Sequence, residues 1–281
     1  MLTKIPADEH RTLQQLREHY LIEKELASRL RHARREERRY LYTAVYDELF
    51  RRVSSHPQLI RKADPNAQIA AISQQLRFLM RFLTPQATFM EIGPGDCSLS
   101  LAVAKLVKKV YAVDVSGEIT KEIQFPQNME LLISDGCSIP IPEGTITVAY
   151  SNQLIEHLHP DDLNEQLKNV YRSLVNNGIY ACITPNRLNG PHDISKYFEE
   201  VASGFHLQEF TIGELADLFK VAGFLKIHTY VGIKGFFLPL PVSPTRWIET
   251  GLTVLPKPLR KRIASCKAVK SLIGICLAAT K

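Results

Sequence analysis

The stretch ATFMEIGPGDCSLSLAVAKLV, residues 87–107, constrains this chain more than any other. Its first seven residues read as a strand running into a glycine turn, and SLSLAVAKLV reads as the helix that follows. The rhythm then repeats. KVYAVDVS, MELLIS, ITVAYSN and GIYACITPN are further strands, and DDLNEQLKNVYRSLV is a helix with Leu163, Leu167, Val170, Tyr171 and Leu174 on one face. Strands alternating with helices over short connections give parallel βαβ units, hence an α/β fold with a doubly wound sheet. A ligand in such a sheet sits at the carboxyl ends of the strands. Further on, TIGEL has the form of a capping box, with Thr211 at the N-cap and Glu214 three residues later, and its helix stops at Gly223. FLKIHTYVGIKGFFLPL adds two strands, paired at the sheet edge.

Before this pattern the chain reads as helix. From Thr12 to Val53 one or two helices place Leu41, Val45, Leu49 and Val53 on a face, and the charged run RLRHARREERRYLY reads as solvated. A third helix covers Asn66 to Leu83 and stops before Pro85. Residues 1–84 are thus an N-terminal helical cap, residues 85–240 the sheet domain, and residues 241–281 a basic C-terminal helical extension. The cap completes the core, closes over a substrate, or binds a partner.

The net charge of +6 is unevenly spread: the middle of the chain is acidic, while residues 225–281 hold a single acid, Glu249, among many bases. Basic ends suit an acidic substrate, an anionic lipid surface, or pairing with the acidic middle. The last helix therefore packs on the domain or makes peripheral contact with a membrane. No finger spacing or RNP-like strand accompanies the charge, so nucleic acid is not expected. The five cysteines are scattered without a CxxC pair, giving neither a disulfide framework nor a zinc motif. No metal site is expected, and the expected location is a reducing cytoplasm, with the inner membrane surface as the peripheral alternative. The start has no apolar core of signal-peptide length, and no run of about 18 apolar residues offers a membrane span.

Chemistry concentrates at the strand ends. Gly93 and Gly95 let a ligand approach the backbone, although a tight turn alone also needs glycines. A dinucleotide fingerprint asks for GxGxxG, whereas the six residues here are G-P-G-D-C-S, with Cys97 next to the position of the missing glycine. Glu91 would repel a pyrophosphate and attract an ammonium group. Asp114 ends the second strand, where a carboxylate accepts from ribose hydroxyls. Asp135, followed by Gly136, ends the third, placed to accept from an adenine amino group, with Cys137 beside it. Ser151 and Asn152 end the fourth. One such acid is an ordinary solvated strand end; a series on successive strands is a binding surface.

EIGPGDCSLS, then VYAVDVS, then LLISDGCSIPIPEGTITVAYSNQLIEHLHPDD, resembles the class I S-adenosylmethionine-dependent methyltransferases, in their small-molecule subgroup, over about residues 85–240. The resemblance implies a seven-stranded, mostly parallel Rossmann-like sheet under the N-terminal helical cap. It also implies S-adenosyl-L-methionine as cofactor and S-adenosyl-L-homocysteine as product. Glu91, Gly93 and Gly95 would hold the amino acid end, Asp114 with Val115 the ribose, and Asp135, Gly136 and Cys137 the adenine. Leu154 and His157 would flank the cofactor near Ser151 and Asn152. Cys97 departs from the family's usual third glycine.

The acceptor side is less marked. His157, His159 and Glu156 follow the fourth strand, His192 and Asp193 the fifth, and His206 with Glu209 lies before the next helix. A histidine has the native pKa of a general base, so His192 or His157, with Asp193, are the catalytic candidates. The same histidines also suit helix caps and loop ties. Tyr42 and Tyr46 of the cap, with Arg187, His192 and His206, are the candidate acceptor contacts, and Tyr40 and Arg52 are further cap residues within reach. Arg187 either pairs with Asp193 or recognises an acidic acceptor. The expected activity is O-methylation of a small molecule with a histidine base. The alternatives are C-methylation of a membrane-associated lipid or quinone, and a non-catalytic S-adenosylmethionine-binding partner subunit.

Overall fold

The structure, a computed structural model, describes residues 9–57, 59, 65–233 and 235–281. Two helices open it, α1 (Leu13–His32) and α2 (Arg35–Arg52), broken at Ala33 and Arg34, followed by α3 (Pro65–Leu79). Then come β1 (Thr88–Ile92), α4 (Ser98–Ala104), β2 (Lys109–Asp114), β3 (Met129–Ile133), β4 (Ile146–Asn152), α5 (Pro160–Ser173) and β5 (Leu174–Thr184). After a long irregular segment follow α6 (Ile212–Ala222), β6 (Lys226–Ile233) and β7 (Phe236–Pro241). The chain ends in α7 (Val242–Thr253), α8 (Lys257–Ala264), α9 (Lys267–Ile273) and β8 (Ile275–Thr280).

The strands form one eight-stranded sheet in the order β3-β2-β1-β4-β5-β8-β6-β7. Strands β1 to β5 are parallel, and β8 lies antiparallel between β5 and β6. The order reverses at β1, where β2 pairs on one side and β4 on the other, so the crevice above these strand ends is the place for a ligand. Core residues lie on both faces, as strands buried on both faces, such as β1 and β8, require. The expected capping box at Thr211 forms, and Gly223 closes α6 at φ +113. Strands β6 and β7 pair at the edge, and β7, the outermost strand, carries Pro239 and Pro241, residues that sheets confine to edges.

The C-terminal extension differs from expectation. Three helices are present, the last two short and basic, but the apolar run after them is strand β8, buried on both faces in the middle of the sheet. A short apolar run does not separate strand from helix by periodicity, and Gly274 starts it afresh. The sheet accordingly has eight strands rather than seven. The apolar half of the amphipathic helix expected to touch a membrane is interior to the sheet. No helix among the described residues is long and apolar enough to cross a membrane.

The charged run between α1 and α2 is also less solvated than it reads. Arg38 is buried and forms a bidentate pair with Asp162 of α5, at 2.6 and 2.7 Å, and Tyr42 donates to the same carboxylate at 2.8 Å. The cap is thereby bound to the sheet domain.

Candidate functional site

A cavity of about 330 Å³ opens above the strand ends and is roofed by the cap helices. Its floor is the β1 turn. Gly93 (φ +68) and Gly95 (φ +56) both occupy the left-handed region; a Cβ on Gly93 would come within 2.9 Å of Leu154, whereas around Gly95 there is open space. Cys97 adopts φ +57 as the N-cap of α4, the conformation a glycine there would accept at low cost. Glu91 does not reach the cavity. It is buried beneath the turn, accepts from Ser100 Oγ at 2.5 Å, and burial pushes its carboxyl up to about 8.

Asp114 does line the cavity. Its Oδ1 accepts the amides of Val115 (2.7 Å) and Ser116 (3.2 Å), which fix the carboxylate toward the space above Gly95; burial raises its pKa. At β3 the arrangement is shifted from expectation. Asp135 spends Oδ1 on the amides of Cys137 and Ser138 and the Ser138 hydroxyl, shaping the turn, and Cys137 is buried. Ser134, Gly136 and Ser138 line the cavity in their place. Gly136 (φ +88) lies against the Tyr42 ring, where a Cβ would meet Cδ2 at 3.0 Å. Gln166 of α5, missed in the sequence, donates to the Gly136 carbonyl at 2.7 Å, while its Oε1 is buried without a partner.

At β4 the site begins one residue past the strand. Ser151 is buried against the Tyr180 hydroxyl and Asn152 is tied to Gln75, while Gln153 (φ +55) and Leu154 face the cavity. His157 lines it too, with Nδ1 3.1 Å from the Phe205 carbonyl; burial lowers its pKa to about 3, so the ring is neutral. His159 caps α5, its ring accepting the Asp161 amide at 3.3 Å.

The opposite wall comes from the segment before α6 and from the cap. Asp193 also lines the cavity, and its carboxylate accepts from Ser195 and from the Gly204 amide, tying the loop together. His192 lines the cavity, with Nε2 3.0 Å from the Asn186 carbonyl and 3.1 Å from Asn189 Oδ1. Glu209 Oε1 receives both the His192 amide and His206 Nδ1 at 2.7 Å, and this carboxylate raises the His206 pKa against the opposing effect of burial. Tyr46 stacks on Phe205 with ring centroids 4.9 Å apart and meets His157 edge-on. Tyr42 contributes its ring, but its hydroxyl is held by Asp162 and the His159 amide. Arg187 is outside the site, exposed and paired with Glu214 at 2.6 Å. Tyr40 is exposed, and Arg52 pairs with Glu48 and Glu25 on the surface.

Residues of α1 that the sequence did not mark complete the wall. His19 and Glu23 are buried at a helical spacing and line the cavity with Arg11 and His56. Glu23 accepts the Phe205 amide at 2.8 Å, and Arg31 donates to the carbonyls of Ser203, Gly204 and His206. The cap thus shapes the segment that carries His206. Polar residues inside an otherwise apolar helical face were the available signal.

Residues 90–182 match a family model described as a methyltransferase domain. A probable S-adenosylmethionine-dependent methyltransferase of Mycobacterium tuberculosis is 26% identical over 150 residues, covering 52% of this chain and 52% of that protein. The chain therefore spans about half the length of the curated relatives it matches. Among solved structures, a SAM-dependent methyltransferase from Archaeoglobus fulgidus has a TM-score of 0.51 at 16% identity, covering 75% of this chain and 94% of that one. A chain of the complex between the Haloferax volcanii Trm112 methyltransferase activator and a methyltransferase scores 0.52 at 12% identity, over 74% of this chain and 88% of that one. At such identities the likeness is one of fold.

Proposed function

We propose that this chain is a class I S-adenosylmethionine-dependent methyltransferase that methylates a hydroxyl oxygen of a small molecule enclosed in its cavity, with His192 as the base. The observation that carries the reading is the shared space: the strand-end turns and the histidine-bearing wall line one cavity. The residues present fit the cofactor. Gly95 leaves room for close approach, Asp114 is fixed to accept from ribose hydroxyls, and Gln166 Oε1 needs a donor. When bound, S-adenosylmethionine would supply an electrophilic methyl carbon on a cationic sulfur that serves as the leaving group.

What remains for the protein is alignment, exclusion of water and removal of one proton. The cap roof supplies the first two. Two oxygen acceptors at Nε2 of His192 fix the proton there and leave Nδ1 its lone pair. Burial lowers the His192 pKa, which keeps the ring neutral at pH 7 but makes it a weak base. The acceptor hydroxyl is therefore an acidic one, a phenol or enol rather than an aliphatic alcohol.

A radiolabelled methyl-transfer screen over small phenols, enols and aliphatic alcohols, with mass spectrometry of products, tests this. Labelled methyl ethers are expected, and His192→Ala should lower turnover about 100-fold or more while S-adenosylhomocysteine affinity stays unchanged. Methylation on carbon or nitrogen, or unimpaired turnover in the variant, overturns the reading.

A further inference from the structure

We propose that Glu156, His157 and His206 form a binding site for a divalent first-row metal ion at the acceptor end of the cavity. One donor atom of each lies within 4.8 Å of those of the other two. Each also has a hydrogen-bonding partner outside the group. His157 Nδ1 faces the Phe205 carbonyl, which only accepts, so Nδ1 carries a proton and Nε2 remains to bind. His206 Nδ1 faces Glu209 Oε1, which leaves its Nε2 in the same position. Thr184 donates to Glu156 Oε2 at 2.8 Å, while Glu156 Oε1, on a residue with 0% exposure, is buried without a hydrogen-bond partner. Metal-ligating histidines characteristically donate their outer N–H to a carbonyl or carboxylate. An orphaned buried carboxylate oxygen carries a desolvation cost that a cation offsets.

A second cluster supplies the contrast. His19, Glu23 and His56 satisfy the same distance condition. There, however, Arg11 Nη1 lies 2.9 Å from His19 Nδ1, and a guanidinium can only donate. The proton is consequently on Nε2, which faces Glu23 Oε2 at 2.8 Å and has no lone pair to offer. Hydrogen bonding, not residue type, separates the two groups.

Two imidazoles and a carboxylate suit zinc, cobalt or iron(II), and three ligands leave a position open for an acceptor oxygen. Ligands around a small tetrahedral ion stand about 3.3 Å apart, so binding draws the three donor atoms together by up to about 1.5 Å. The role of holding the acceptor oxygen rests on the methyl-transfer reading; ion binding itself does not.

Cobalt(II) is the probe, because its visible absorption reports coordination. The chelator-treated full-length chain should bind one equivalent, with affinity at least about tenfold weaker in Glu156→Gln and in His206→Ala. His19→Ala should stay within about twofold of the parent, a bound set by the contrast just drawn. Melting curves and S-adenosylhomocysteine titration accompany every variant, so a ligand variant that fails to fold is recognised and the other still decides. No cobalt binding by the parent, equal affinity in a folded ligand variant, or loss in His19→Ala instead overturns the site. Cobalt binding without S-adenosylhomocysteine binding keeps the metal site and removes the methyl-transfer reading.

Discussion

At the scale of single residues, the type of a side chain was readable from sequence and its commitments were not. Asp114, Asp135 and Asp193 are all acids at the ends of strands or loops, yet Asp135 is turned into its own turn and away from the cavity, Asp193 is held by Ser195 and the Gly204 amide, and Asp114 lines the cavity with its Oδ1 fixed by two backbone amides. Replacing it by Asn leaves the turn's shape and removes the charge. S-adenosylhomocysteine affinity should fall by about 1.5–3 kcal/mol in calorimetry, the range for hydrogen bonds to a charged group; equal affinity would remove Asp114 from the ribose role. Glu91 makes a different prediction. Burial raises its carboxyl to about 8, against the opposing Ser100 hydrogen bond and with Asp96 and Asp114 adding to the rise. A raised folded pKa means that the folded state holds the proton longer. The stability it contributes is full below the unfolded value of 4.5 and is lost as pH rises through about 8. The unligated protein should therefore lose on the order of a few kcal/mol between pH 5 and 8.5 relative to Glu91→Gln in urea titrations. Parallel curves would show that Glu91 is ionised throughout.

At the scale of elements, the strands from β1 to β5 and the helix with the Thr211 capping box were legible because each carries a periodicity and a local stop signal. Strand β8 was not. Its apolar run follows two basic helical turns, and only its place between β5 and β6 decides its conformation. Leu277 at the centre of β8 is fully buried. Leu277→Ala should cost about 2–5 kcal/mol of unfolding free energy, as cavity formation in a packed core does. A surface helix would lose less than about 0.5 kcal/mol at the same substitution, so a small effect would reject the central-strand register. The site shows the same division: the glycine turn follows from local pattern, whereas Gln166 became a cavity residue only when α5 packed beside Gly136.

At the scale of the whole molecule, the question is whether the cap and the sheet domain act as one body. The sequence left the cap as filler, lid or partner arm, because nothing local says where a charged helix pair will dock. The structure joins them through a buried charge pair and a set of polar ties. Arg38 meets Asp162, Thr43 donates to the Val115 carbonyl at 2.6 Å, Ser116 donates to Asp47 at 2.8 Å, and Glu23 holds the Phe205 amide. Two of these ties fall on Val115 and Ser116, next to Asp114, so the cap is held directly beside that corner of the cavity. Arg38→Met tests the coupling. It leaves Asp162, 1% exposed, without its cation, and an uncompensated buried charge costs about 3–5 kcal/mol. If cap and sheet are one cooperative unit, that cost appears in full in global unfolding by urea. If S-adenosylhomocysteine occupies the cavity that the cap roofs, it should then recover part of that cost by mass action. If the cap opens by itself, global unfolding of the sheet is unchanged and protease cleavage near Ala33 and Arg34 accelerates instead. Neither change would mean that the Arg38–Asp162 pair does not hold the cap. The first outcome is the expected one, because the cap contributes Leu26, Leu30, Val45 and Leu49 to the same hydrophobic cluster as Met90, Ile92 and Ala149 of the sheet.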